Sequence, residues 1–216
     1  MISPLLANVF LHYVLDLWVH RWRRTAARGR VIVVRYCDDF VMGFQRAADA
    51  QSMLAALRAR LGEFGLALHD DKTRLLEFGL LAAAERARRG LRRPETFAFL
   101  GFTHYGATTR RGGFVVKGRT QSKRMTAKLK ELRDTARRRM HSHVGEQHRW
   151  LCSVLRGHYA YYGLPSNLAC LATFYQEVRR LWFRTLRRRS QRSMTWSDFA
   201  SLLTRLPLPV PRLIGN

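Results

Sequence analysis

Acidic residues are scarce in this 216-residue chain. Only 15 Asp and Glu stand against 39 Lys and Arg, a formal net charge of +24. That excess goes far beyond what solubility needs and speaks for a polyanionic partner. Long apolar runs are missing as well. No stretch approaches the ~20 residues of a membrane span, which removes a membrane from the expected partners. The N-terminal apolar stretch also lacks the basic n-region and cleavage site of a signal peptide. Cysteine is sparse: Cys37, Cys152 and Cys170 are widely spaced and suggest neither a disulfide framework nor a zinc site, so a reducing cytoplasm fits best. His141, His143 and His148 lack cysteine partners and regular spacing, which rejects zinc there. Internal repeats and low-complexity blocks are absent.

What is present is a chain able to fold. Hydrophobic residues make up 47% of it, enough for a real core. The charge is uneven. Residues 1–100 carry a net +6 and residues 101–216 a net +18, so the second half is the stronger phosphate-binding candidate.

The pattern along the chain is mixed first and helical second. Ser3 and Pro4 suit an N-cap and first helical position, and Leu6, Phe10, Tyr13 and Leu17 recur at helical spacing. VIVVRYCDDFVMGF, residues 31–44, reads as strand, turn and strand. A helix follows with Leu54, Leu57, Leu61 and Phe64 on one face, closed by Gly65. LALHDDKTRLLEFG reads as two short strands about a turn, and a basic segment with a short helix comes after it. FAFLGFTHY reads as a strand with a glycine in it, and ATTRRGGFVVKGR as a second hairpin. From Thr120 three helices are expected, separated by Gly145 and GLPSN. A last short helix spans Asp198 to Arg205, before prolines stop the chain.

The pair Asp38–Asp39 between two strands admits two readings. Asp is common at turns, and Arg35 could balance the two charges. Alternatively, the carboxylates hold Mg²⁺ for nucleotidyl transfer, in which two ions clamp the attacking and leaving oxygens. The context resembles the reverse transcriptases of group II introns. SPLLANVFLHYVLD resembles the end of the motif before that family's catalytic hairpin, and RYCDDFVMGF resembles the hairpin itself, with Cys37 for the commoner Ala. GLALHDDKTRLLEFG and FLGF resemble the next two motifs. LRGHYAYYGLPSN and VRRLWFRTLRRRSQ resemble the thumb and maturase region.

The resemblance implies an α+β chain: a partial polymerase palm, an antiparallel sheet with helices, over residues 1–118, then an all-helical thumb and maturase domain over 119–216. It implies an RNA-directed DNA polymerase with Mg²⁺ on catalytic Asp38 and Asp39, Tyr36 supporting the hairpin beside the primer end, and Lys72 near the incoming nucleotide. For Lys72 an ordinary solvated turn lysine is the equal alternative. Two-metal polymerases of this kind take a third carboxylate from an earlier strand. Neither Asp16 nor Asp70 and Asp71 match it. A truncated enzyme, or one completed by a separate N-terminal chain, is therefore expected, with the isolated chain inactive as a polymerase.

In the second half Lys123, Arg124 and Lys128 cluster, and Arg180, Arg184 and Arg188 share a helical face, a stripe that suits an RNA backbone. A solvated face is the alternative. Trp150, Tyr159, Tyr161, Tyr162, Phe174, Tyr175, Trp182 and Phe183 could stack on bases or fill the helical core. The expected partners are intron RNA and primer–template. The rival function is a maturase remnant that binds intron RNA with its aspartates idle. A palm-fold nucleotide cyclase would instead carry a Gly-Gly-acidic-Glu-Phe turn.

Overall fold

A computed structural model, which describes residues 3–91, 94–189 and 194–213, gives an α+β architecture with two small antiparallel sheets. The chain divides into two units, Met1–Glu95 and Thr96–Asn216.

In the first unit α1 (Ser3–Leu11), a π-helical segment (His12–Asp16) and α2 (Leu17–Thr25) follow one another without leaving helical backbone. Ser3 is thus helical itself rather than the cap. Val14, Leu15 and Val19 are buried, while Leu6, Phe10, Tyr13 and Leu17, the expected apolar repeat, are exposed. Among the described residues of this unit, only one side of the helix has elements to bury against. These are strands β1 (Val31–Tyr36) and β2 (Asp39–Phe44), paired antiparallel from Val31↔Phe44 to Tyr36↔Asp39, and helix α3 (Ala47–Gly62). Side chains alternate across a strand. Val33, Phe40, Met42 and Phe44 therefore join the core, while Ile32, Val34 and Tyr36 point outward. Buried Asp49 on α3 accepts the backbone N–H groups of Arg28 and Gly29 at 3.1 and 2.8 Å, which fixes the approach to β1.

The buried face of α3 is Ala50, Met53, Leu57 and Leu61. Leu57 and Leu61 agree with the sequence reading; Leu54 is half-buried and Phe64 exposed. Gly65, at φ +67°, ends the helix with Leu66 N–H on the Leu61 carbonyl and Gly65 N–H on that of Gly62. The strands expected within residues 66–79 do not form; this stretch is irregular. A strand needs a ladder partner, and the β1–β2 sheet has only two strands among the described residues. Surface ion pairs Arg58–Asp70, Arg74–Glu95 and Arg89–Glu77 lie along it instead, before helix α4 (Leu80–Arg88).

The second unit opens with a meander of β3 (Phe97–Phe99), β4 (Phe102–Thr108) and β5 (Phe114–Thr120). FLGF is not one strand. Leu100 and Gly101 both take positive φ, +48° and +77°, and make the two-residue turn between β3 and β4. Helices α5 (Ser122–Arg138), α6 (Val144–Tyr162) and α7 (Leu168–Arg189) surround Leu132, Leu151, Leu155, Phe174, Val178 and Trp182. Gly145 falls in the first turn of α6 rather than between helices. Ser190 and Gln191, read as the end of the third helix, lie outside the described residues. A last helix, α8 (Trp196–Arg205), starts two residues before the expected Asp198, behind a capping box of Thr195 and Asp198.

Two buried amides organise this unit. Asn167 accepts Thr120 N–H at 2.8 Å and donates to the Thr120 hydroxyl and the Tyr162 carbonyl, joining β5 to the helices. Gln147 donates to the carbonyls of Arg139, Met140 and Ser142 and accepts the Trp182 indole N–H. Every polar atom of these amides thus has a partner, as burial demands. His158 differs. It is stacked on Phe174 (ring centroids 3.7 Å apart) with the Tyr162 ring tilted against it (4.6 Å), and its Nε2 is buried without a partner among the described residues.

Burial, reinforced by the Lys128 charge, pulls the His158 pKa down to about 4. The unfolded chain then binds a proton at higher pH than the folded one, so stability falls as pH drops from ~6.5 toward 4. The loss should approach about 3 kcal/mol for this one group. Urea unfolding at pH 7.5 and 4.5, followed by the Trp182 indole N–H resonance, should show a midpoint shift that His158→Phe reduces.

Candidate active site

The hairpin at residues 31–44 forms because its strands are rich in Val, Ile and Phe and its turn carries small and acidic residues. Tyr36 faces Asp39 across the end of the ladder, leaving Cys37 and Asp38 as a two-residue turn. Cys37 has φ +54°. Asp38 and Asp39 are both exposed, at the tip and first strand position. Neither carboxylate takes part in an ion pair or side-chain hydrogen bond among the described residues. Their repulsion is affordable there, because two charges ~5 Å apart in water interact by under about 1 kcal/mol. The pair needs no cation to be tolerated, and its oxygens are uncommitted.

Arg35 is not the balancing cation for that pair. Its Nε and Nη2 donate to the two carboxylate oxygens of Asp16 at 2.8 and 2.6 Å. Its Nη1 donates to Asn8 Oδ1 at 2.9 Å and to the Cys37 carbonyl at 2.7 Å. The Arg35 guanidinium holds the Asp16 carboxyl below the usual carboxylate range, against the opposing cost of burial. Asp16, set aside in the sequence as matching no catalytic position, is therefore the partner of the cation beside the turn. The signal in the sequence was thin: two polar residues eight apart on one helix, Asn8 and Asp16, with one arginine in the following strand.

Other expected site residues are more dispersed. Tyr36 is exposed at the end of β1, and Lys72 is exposed in the turn after α3. No hydrogen bond or ion pair joins Lys72 to the hairpin tip among the described residues. No group of three His, Cys, Asp or Glu side chains suited to a metal occurs among the described residues.

In the second unit Lys123 and Arg124 are exposed in the first turn of α5, which contains no acid. Cations there oppose the helix dipole, so local stability does not explain them. Lys128 pairs with Glu131 at 2.8 Å and Arg180 with Glu177 at 2.7 Å, while Arg184 and Arg188 are exposed without an ion pair among the described residues. Arg124, Lys128, His158 and Tyr161 line a groove of about 500 Å³ between α5 and α6. Of the candidate stacking aromatics, Tyr159, Phe174 and Trp182 are buried in the core. Trp150, Tyr162, Tyr175 and Phe183 are half-buried against it, and Tyr161 alone of the set is exposed.

No curated protein matches this chain. Residues 1–104 match the family model described as "Reverse transcriptase (RNA-dependent DNA polymerase)". The stretch that holds the carboxylate hairpin, Tyr36 and Lys72 is thus similar to an RNA-directed DNA polymerase domain.

Proposed function

We propose that this chain is part of a group II intron-encoded RNA-directed DNA polymerase with a maturase region, residues 1–118 acting as palm and 119–216 as thumb and RNA-binding domain. The observation that carries the reading is the exposed, uncommitted pair Asp38–Asp39 at a two-residue turn inside the stretch similar to reverse transcriptases. Adjacent hard oxygen donors open to solvent suit Mg²⁺, which keeps several waters and needs few protein ligands. When bound, that metal would polarise a phosphoryl oxygen and activate the attacking hydroxyl. Asp38 and Asp39 would hold it, Tyr36 would back the primer end, and Lys72 would bring positive charge toward the pyrophosphate leaving group.

Two carboxylates make an incomplete site. The apolar residues exposed on the first unit, Leu6, Phe10 and Tyr13 on the helix and Ile32 and Val34 on β1, fit a covering segment that brings the third acid. An N-terminal polymerase segment, in the same or a complementing chain, would supply it.

The second half supports nucleic-acid binding in its own right. Lys123, Arg124, Lys128, Arg180, Arg184 and Arg188 would contact the backbone of intron RNA and of primer–template, so a maturase remnant that only binds RNA is the alternative. The unpaired cations in the first turn of α5 favour an anion there under either reading.

Primer extension with Mg²⁺ separates the two. The isolated chain should be inactive, and activity should appear when the N-terminal segment is supplied. Asp38→Ala should then abolish synthesis while leaving RNA affinity nearly intact. Loss of RNA binding to the same degree would contradict separate roles for the two halves. Affinity for RNA should also drop about a thousand-fold between 50 and 200 mM salt if the six cations each neutralise a phosphate. A flat salt response would refute the backbone grip.

A further inference from the structure

We propose that Asp16, Asn8 and Arg35 are positioning residues for the carboxylate pair: the helix holds Arg35, and Arg35 both fixes the Cys37 turn and is kept from pairing with Asp38 and Asp39. The inference rests on the reading that those two carboxylates bind a divalent metal.

The turn needs holding. Cys37 has φ +54°, where a residue with a Cβ is strained by ~1–3 kcal/mol unless its surroundings hold it. Asn, Asp or Gly is the usual occupant of such a turn position. The hold comes from within the same strand: Arg35 Nη1 donates to the Cys37 carbonyl at 2.7 Å, one peptide before Asp38. A guanidinium is a planar fork, so fixing its other nitrogens fixes this one too. Asp16 takes Nε and Nη2 in a bidentate pair, and Asn8 Oδ1 shares Nη1.

The helix presents these two partners together through its π segment. On an ordinary α-helix, residues eight apart lie about 80° off the same line. The wider turn at His12–Asp16 takes up that drift, and Asn8 and Asp16 reach one guanidinium. Such segments are rare in helices and tend to occur at functional sites.

Charge gives the second half of the inference. Arg35 stands three residues from Asp38, nearer in sequence than any other cation. Neutralised by Asp16, it leaves the tip free, and neither Asp38 nor Asp39 forms an ion pair among the described residues. Without Asp16 the same guanidinium would be a mobile positive charge beside a metal site.

These roles make distinct predictions for single and double variants. Asp16→Asn both loosens the turn and releases Arg35 to compete with metal. Arg35→Gln only loosens the turn. The double variant should therefore bind metal like Arg35→Gln and better than Asp16→Asn, an ordering that a merely structural role would not produce.

The test is Mn²⁺ titration of the full chain, followed by line broadening of the Cys37, Asp38 and Asp39 amide resonances. Cross-strand contacts between Val33 and Met42 report that the hairpin is intact. Wild type should show selective broadening that Asp38→Ala removes. Asp16→Asn should need about 10–100-fold more Mn²⁺, as for other groups that orient metal ligands, and Arg35→Gln should recover part of that loss in the double variant. If Asp16→Asn does not fold, Arg35→Lys replaces it: charge is kept, the fork is lost, and the same weakening is expected. Broadening that depends on Asp38 but is unchanged in Asp16→Asn, or in its Arg35→Lys replacement, would overturn the positioning role and leave the metal reading standing. A double variant as weak as Asp16→Asn would overturn the competition argument. Absence of broadening that depends on Asp38 would refute the metal reading, and the inference with it.

Discussion

A single guanidinium decides how the acidic tip of the first hairpin is presented. Arg35 meets the helix through Asp16 and Asn8 and meets the turn through the Cys37 carbonyl. Two adjacent carboxylates in a chain with so many cations would ordinarily attract an arginine, but the one nearest in sequence is already taken. The outcome is a pair of exposed aspartates whose mutual repulsion is small in water and whose oxygens remain uncommitted. In that state the hairpin offers hard ligands to an ion while costing the fold little.

The second unit reaches rigidity by a different route. Its cationic helices repel one another, so the packing between them rests on a dry interior of Leu132, Leu151, Leu155, Phe174, Val178 and Trp182. Buried amides tie the connections: Gln147 at the α5–α6 loop and Asn167 between β5 and α7. A buried amide with a missing partner costs roughly 1–3 kcal/mol, so these positions have little freedom to vary. Lys123 and Arg124 are exposed on this scaffold. Their placement in the first turn of α5 runs against the helix dipole, a local conflict of the kind proteins tolerate where function requires it.

Much of this organisation was legible in the sequence, and what was not has particular causes. The hairpin could be read because two short apolar, β-prone runs about an acidic turn are local signals. So could the three long helices, whose apolar spacing persists over many turns. The segment 66–79 could not, because whether a stretch forms a strand depends on a partner elsewhere in the chain. Leu100–Gly101 was misread because leucine seldom takes positive φ; the turn is set by its neighbours and not by its own preference. The apolar repeat at Leu6, Phe10, Tyr13 and Leu17 was a real helix signal, yet periodicity does not say which side will be covered. At the site, Asp38 and Asp39 stood out at once. The commitment of Arg35 to Asp16 did not, since it joins elements 19 residues apart and depends on a π turn that no local pattern announces.

The central claim is that Asp38 and Asp39 together hold a divalent metal. Crystals of the protein soaked in Mn²⁺ test it most directly, through the anomalous scattering of the bound ion. A peak within coordination distance of both carboxylates, with Arg35 still on Asp16, is the expected result. No peak at the hairpin tip, with either aspartate turned onto a lysine or arginine instead, would contradict it.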